Sequence, residues 1–221
     1  MKEYIKNKEV SYCSKKIWQQ KYQHKFFLKF DNYNSSLRDK FFCETIKLIN
    51  NNFNKFFFLS FGSLLGLIRE DDFIEWDDNI DLSFFLEKNT YKDLKNLQTV
   101  LIDNNYIARI FEKKNYSKIS IYKYGYKLDL TSVMRVNNFY ISNLNKCPSS
   151  CLKNFKTVLF KNTEVNIPSD YNTYLSYIYG NWKLPAKRNY YTIKGTRIEH
   201  YRYIISNILY EIKKILRLIK K

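Results

Sequence analysis

Three stretches of this 221-residue chain carry residue types and spacings suited to chemistry. The first is Gly62-Ser63, reached directly from the apolar run FFFLSF at 56–61 and followed by LLGLIR. A Gly-Ser turn that runs into a helix offers backbone N–H donors to a phosphate. The second is EWDDNIDLSFFL at 75–86, whose latter half alternates, so that Asn79, Asp81 and Ser83 face one side and Ile80, Leu82 and Phe84 the other. The third is Asp129, set between Leu128 and Leu130 on another strand-like run. Two or three carboxylates converging from neighbouring strands make an all-oxygen site suited to magnesium, with manganese as the alternative. A metal, a phosphate cradle and a carboxylate able to take a proton are the parts of a phosphoryl or nucleotidyl transfer site. Taken singly, acidic clusters read as solvated loops and Gly-Ser pairs as turns. Those readings leave the charge on otherwise apolar strands unexplained.

The elements that must position these residues follow from patterning. A helix is expected from Ser35 or Ser36, because Ser caps well and Leu37, Phe41, Phe42, Ile46 and Ile49 recur at helical spacing, with Asn50, Asn51 and Asn52 ending it. The run at 56–61 suits a short buried strand. A helix is expected around 90–104, carrying Leu94, Leu97, Val100 and Leu101, then strands in YIARIFEKK and SKISIYKYGYKLDLTSV, with a turn or bulge at Gly125. Beyond about 136 the pattern reads as loop, followed by one short strand near 157–167. IPSDYNTYLSYIYG then reads as Pro168, an N-cap at Ser169 or Asp170, a helix and a stop at Gly180. From Glu199 onward Ile204, Ile205, Ile208, Leu209, Ile212, Ile215, Leu216 and Ile219 form one stripe of a basic amphipathic helix. The chain therefore divides into an N-terminal arm at 1–34, a catalytic domain at 35–190 and a C-terminal helix at 191–221 in the same globular unit.

At this point the motifs resemble a family. GSLLGLIREDDFIEWDDNIDLSF at 62–84 is similar to the signature of the LicD family, which includes the fukutin-type transferases. LDLTSV at 128–133 resembles its third-aspartate strand, and IPSDYNTYLSYIYGNWKLPAKR at 167–188 its C-terminal Tyr-Gly-aromatic-Pro segment. The resemblance implies an α+β, nucleotidyltransferase-like fold, a mixed sheet flanked by helices. It also implies transfer of a substituted phosphate, such as phosphocholine or an alditol phosphate, from a CDP-linked donor to a glycan. By the same resemblance Gly62 and Ser63 would hold donor phosphate, and positions 79 and 81 would be the metal pair. Asp129 would be the third carboxylate and a candidate general base, and Arg69 would stabilise phosphate charge or brace the acidic loop. The family usually has Asp where this chain has Asn79, which removes one negative charge. Asp77, on the same face if the strand begins early, or the adjacent Asp78, would compensate.

Composition bounds the alternatives. Aromatic residues make up 18% of the chain and apolar ones 45%, too much for a disordered chain. Two histidines, His24 and His200, exclude a His-rich zinc centre. The formal charge of +17 favours phosphate-bearing partners, but only eight of the 38 basic residues are arginine, so no dedicated nucleic-acid partner is expected. Lys183, Lys187 and Arg188 follow the Tyr-Gly segment and are either phosphate contacts or a solvated basic loop. Tyr179, Gly180, Trp182 and Pro185 read equally as a packed turn or as part of the site, and Trp76 as packing. Cys13, Cys43, Cys147 and Cys151 read as free thiols of a reducing cytoplasm, the last two in an ordinary loop. No secretory signal or membrane-spanning run is visible, so a cytoplasmic enzyme is expected. Its C-terminal helix would dock on the domain or on an anionic inner leaflet where lipid-linked glycans are built. The rival functions are nucleotidyl transfer to a small acceptor and a basic, non-catalytic nucleic-acid-binding module.

Overall fold

The computed structural model describes residues 34–75, 77, 79–113, 115–142 and 145–184. The expected N-terminal arm up to Tyr33, the C-terminal helix, Trp76, Asp78, Pro185, Lys187 and Arg188 lie outside the described residues. Helix α1 (Ser35–Asn52) is capped by Asn34, whose Oδ1 accepts from the Leu37 N–H at 3.0 Å, rather than by Ser35 or Ser36. Strand β1 (Phe57–Leu59) leads into helix α2 (Phe61–Glu70), and β2 (Ile80–Phe85) into α3 (Thr90–Asp103). Strands β3 (Ile107–Lys113), β4 (Tyr116–Lys123) and β5 (Tyr126–Val136) follow as a meander, turning at Tyr124-Gly125 between β4 and β5.

The segment after 136 is not loop. It forms β6 (Phe139–Ser142), β7 (Asn145–Pro148) and a 3-10 helix (Ser149–Leu152). The single strand expected near 157–167 is a hairpin of β8 (Phe155–Phe160) and β9 (Thr163–Pro168). It turns at Lys161 and Asn162, both with positive φ, a conformation Asn tolerates and the sequence pattern does not announce. Helix α4 (Tyr171–Tyr179) is capped by Asp170, which accepts from the Thr173 N–H at 3.2 Å, and ends at Gly180 with φ 68°. Cys147 and Cys151 lie on β7 and on the 3-10 helix, both buried, with the Cys151 thiol donating to the Pro148 carbonyl at 2.9 Å.

Among the described residues the main sheet runs β1-β2-β5-β4-β3, extended from β5 through β6 to β7. β2 and β5 pair in parallel and the remaining pairs are antiparallel, so the sheet is mixed. Its two faces differ because the strands alternate. Ile80, Leu82, Phe84, Leu128, Leu130, Ile119 and Ile121 form an apolar face, which α1 and α3 cover; the Phe53 ring beyond α1 meets Phe84 edge-on at 5.2 Å. Asp81, Ser83, Asp129, Thr131, Ser120 and Lys118 lie on the opposite face, where α2 packs on β2 and α4 on β7. This is the α+β architecture expected of the sequence, a mixed sheet flanked by helices. Among the described residues no helix is long and apolar enough to cross a membrane.

Candidate active site

The site begins where β1 turns into α2. Ser60 is extended, Phe61 has a left-handed φ of 46°, and the helix starts at once, so a bulky residue is held in a costly conformation at the hinge. Three hydrogen bonds fasten this turn to β2. The Ser60 N–H donates to the Asp81 carbonyl at 3.1 Å, the Asp81 N–H donates to Ser63 Oγ at 2.8 Å, and the Ser83 hydroxyl donates to that of Ser60 at 2.8 Å. Gly62 and Ser63 are thus buried in the first turn of a helix, where N–H groups lack intrahelical partners. A Cβ at Gly62 would fall 2.1 Å from Asp77 Oδ2, so only glycine lets that carboxylate approach the helix start.

Register then gathers the charged groups. Asp81 on β2 pairs with Asp129 on β5, which pairs with Ser120 on β4, which pairs with Arg109 on β3. Residues paired across strands point to one face, so these four form a row perpendicular to the strands. Burial pushes the Asp81 carboxyl well above the ordinary carboxylate range, and the charges of Asp77 and Asp129 add to the rise; Asn79 and Lys127 act against it. The Asn79 amide nitrogen donates to Asp81 Oδ1 at 2.6 Å. Asp129 is buried, its Oδ1 accepting from the Ser120 hydroxyl at 2.6 Å. Its Oδ2 lies 3.2 Å from Lys118 Nζ and 2.8 Å from Lys127 Nζ. Lys118 stands opposite Thr131 and Lys127 opposite Tyr122, so the two lysines flank the Asp129–Ser120 pair from either side along the strands.

The donor set of Asp77, Asp81 and Asp129 is all oxygen and mutually repulsive, which is the chemistry a hard divalent cation relieves. Among the described residues no three His, Cys, Asp or Glu side chains are already gathered as a finished cage. Two reasons are visible. Asn79 turns its nitrogen toward Asp81, and Asp129 is held by two lysines. Asp77 lies in the loop before β2, which begins at Ile80, rather than on an early start of that strand.

Not every expected residue joins this cluster. Arg69 lies at the far end of α2, about 10 Å along the helix from Gly62. Its guanidinium is paired with Glu70 and donates to the Trp182 carbonyl at 3.4 Å, so it braces the chain after α4 rather than the carboxylates. Trp182 is buried with its indole N–H on Ser176 Oγ at 3.2 Å, a packed turn. Lys183 is exposed, with its ammonium 5.8 Å over the Trp182 ring.

The sequence reading missed Lys118, Ser120 and Lys127, although period-two alternation in SKISIYKYGYKLDLTSV places them on the Asp129 face. It also missed Tyr174 of α4. That buried hydroxyl is hydrogen-bonded by the backbone of Phe61, and burial pushes its pKa well up, with nearby Cys147, Tyr179 and Asp81 adding to the rise. No sequence signal distinguishes it from the other 19 tyrosines.

Comparison with known proteins places this geometry. A family model described as LicD/FKTN/FKRP, nucleotidyltransferase domain, matches residues 54–170, which hold the turn into α2, the carboxylate row and both lysines. No curated protein matches the sequence closely enough to count as a relative. Among solved structures, the antibiotic-resistance factor ANT(2'')-Ia in solution superposes with a TM-score of 0.46 at 16% identity, covering 83% of this chain and 91% of that one. The crystal structure of ANT(2'')-Ia in complex with adenylyl-2''-tobramycin gives a TM-score of 0.44 at 16% identity, covering 82% and 95%. The family match spans more than half of the chain, and the chain belongs to the LicD family of transferases.

Proposed function

We propose that this chain is a magnesium-dependent transferase that moves a substituted phosphate from a CDP-linked donor to a hydroxyl of a cell-surface glycan. The observation that carries the reading is the register of Asp81 with Asp129 beside the start of α2, inside the segment the family model matches. Asp77 and Asp81, with Asp129 across from them, would hold the cation. When bound, magnesium supplies charge neutralisation for the donor diphosphate.

This chain's own residues do the rest. The N–H groups at the start of α2 would receive the donor phosphates, while Ser63, buried with its Oγ on the Asp81 N–H, fastens that turn to β2 rather than meeting phosphate itself. Lys118 and Lys127 leave Asp129 Oδ2 for the phosphate oxygens, since a doubly negative group outcompetes one carboxylate for two ammoniums. Oδ2 is then free to take the proton of the acceptor hydroxyl. The acceptor oxygen forms a bond to the β-phosphorus, the bond from that phosphorus to the bridging oxygen breaks, and CMP leaves with the electron pair.

Product analysis tests this with a CDP conjugate and a polysaccharide acceptor. The acceptor should gain the substituted phosphate while CMP appears in equal amount. A nucleotide found on the acceptor would replace this reading with nucleotidyl transfer.

A further inference from the structure

The carboxylate face of the sheet does not end at the carboxylates. Phe85 lies four residues beyond Asp81 on β2, and Arg135 six beyond Asp129 on β5, even steps that keep both on that same face. There they line a cavity of about 410 Å³ with Phe56, Tyr140, Phe155 and Lys153. The four rings are close. Phe56 and Phe155 centroids are 4.7 Å apart, Phe85 and Tyr140 5.1 Å, and Phe56 lies nearly parallel to Phe85 at 6.4 Å. Phe56 remains 45% exposed, an aromatic surface with no cover among the described residues. Among the described residues neither Arg135 nor Lys153 is in an ion pair; Arg135 donates only to the Asn137 carbonyl, at 3.4 Å.

We propose that this pocket is a remote acceptor subsite that binds an acidic saccharide unit, one bearing a carboxylate or a phosphate. The proposal rests on the reading of this chain as a glycan-directed transferase. Aromatic rings stack against the apolar C–H face of a sugar ring, and the two cations match an anionic substituent, the usual division of labour in a small-ligand site. The volume falls within the roughly 300–1,000 Å³ typical of such sites. A quaternary ammonium, which aromatic rings otherwise attract, is disfavoured beside Arg135 and Lys153. Position disfavours the donor's nucleoside, because Arg135 is roughly 20 Å along β5 from Asp129 at about 3.3 Å per residue. Phe85, roughly 13 Å from Asp81 by the same rise, is more than one sugar ring away, so the pocket would hold a more distant unit of an extended acceptor.

The test is calorimetry of the full chain with tetragalacturonate as the acidic probe and maltotetraose as the neutral one. Tetragalacturonate should bind, maltotetraose at least 10-fold more weakly. Arg135→Ala with Lys153→Ala should weaken tetragalacturonate binding at least 10-fold, and Phe56→Ala several-fold. Lys92→Ala with Lys113→Ala, exposed lysines on α3 and β3, should leave it unchanged and controls for bulk charge. Equal binding of both probes, equal loss in the control pair, displacement of the probe by CMP, or no binding would each overturn the subsite. Asp81→Asn keeps the two claims apart. Tetragalacturonate binding kept in this variant, with no CDP conjugate turned over by the parent chain, would refute the transferase reading alone, whereas transfer by the parent chain that the pocket variants leave unaffected would refute the subsite alone.

Discussion

Asp72 and Asp81 lie nine residues apart in one acidic segment and sit in opposite electrostatic settings. Asp72 is surrounded by cations. Arg38 of α1 reaches its Oδ1 at 3.2 Å and Lys161 of the β8–β9 turn at 2.9 Å, while its neighbour Phe73 donates a backbone N–H at 2.6 Å. Burial alone would raise its pKa, but hydrogen bonds from Lys161 and Phe73 and the charges of Lys161 and Arg38 hold it below the ordinary 3.8. Arg38 is itself buried, stacked 4.6 Å over Phe73 and bonded to the Ile74 carbonyl at 3.4 Å, so the pair ties α1 to the loop after α2. Asp81 has burial and two carboxylates raising its pKa, opposed only by Asn79 and the charge of Lys127. An acid held by cations stabilises a fold. An acid held among acids is a cost to the fold unless a ligand neutralises it, and such costs mark sites of function.

The largest effect should come from Asp81→Asn, with turnover reduced roughly 1,000-fold or more. The same variant should be more stable than the parent in the absence of metal, by about 1 kcal/mol at neutral pH. The sign follows from linkage. A carboxyl whose folded pKa is raised holds a proton that the unfolded chain has lost, so stability falls as pH climbs from 3.8 through the raised folded value. The advantage of Asp81→Asn should therefore shrink as pH falls toward 3.8, and an advantage independent of pH would break the comparison.

Next in size are the lysines. Changing both Lys118 and Lys127 to Met should raise the donor KM about 10- to 100-fold, the worth of one or two hydrogen bonds to a charged group. An unchanged KM would mean that they serve Asp129 alone. The glycines of α2 sharpen the contrast between fold and site. A Cβ at Gly66 would meet backbone, 2.5 Å from the Asp72 carbonyl, and Gly66→Ala should destabilise by about 1–3 kcal/mol in a denaturant titration. At Gly62 the obstacle is the movable Asp77 side chain, so Gly62→Ala should keep stability and lose magnesium affinity.

The smallest effect should belong to Asp72→Asn. Its side chain is 42% exposed, so solvent screening limits the loss to about 1 kcal/mol or less. With a depressed folded pKa, the stabilisation is present above pH 3.8 and disappears as pH falls through the folded value, and kcat should not change. A thermal melt series from pH 3 to 8 for the two Asn variants would show opposite pH trends.

Only the Asp81 side of this contrast could be read from the sequence, and the rest could not for definite reasons. Alternation in NIDLSF and LDLTSV put Asp81 and Asp129 on strands, each on the side away from its apolar neighbours, because a two-residue period needs no tertiary information. Their adjacency needed the parallel pairing of β2 with β5, which no local pattern encodes. The family resemblance put Arg69 at the site, and the structure sets it at the far end of the ten-residue α2, paired with Glu70. The hairpins after 136 went unseen because their turns use Asn137, Lys161 and Asn162 at positive φ instead of glycine. Arg38, an ordinary arginine on a helix by pattern, is buried because a carboxylate and an aromatic ring meet it from distant parts of the chain.

The central claim is that the Asp81–Asp129 face receives a metal-bound nucleotide-diphospho donor. Calorimetric titration with CDP-choline, CDP-ribitol, CDP-glycerol and CDP, with and without magnesium, tests it most directly when run on the parent chain, Asp81→Asn and Asp72→Asn. Magnesium-dependent binding of at least one conjugate, lost in Asp81→Asn and kept in Asp72→Asn, is the predicted result. Binding indifferent to magnesium and equal in all three proteins would contradict it.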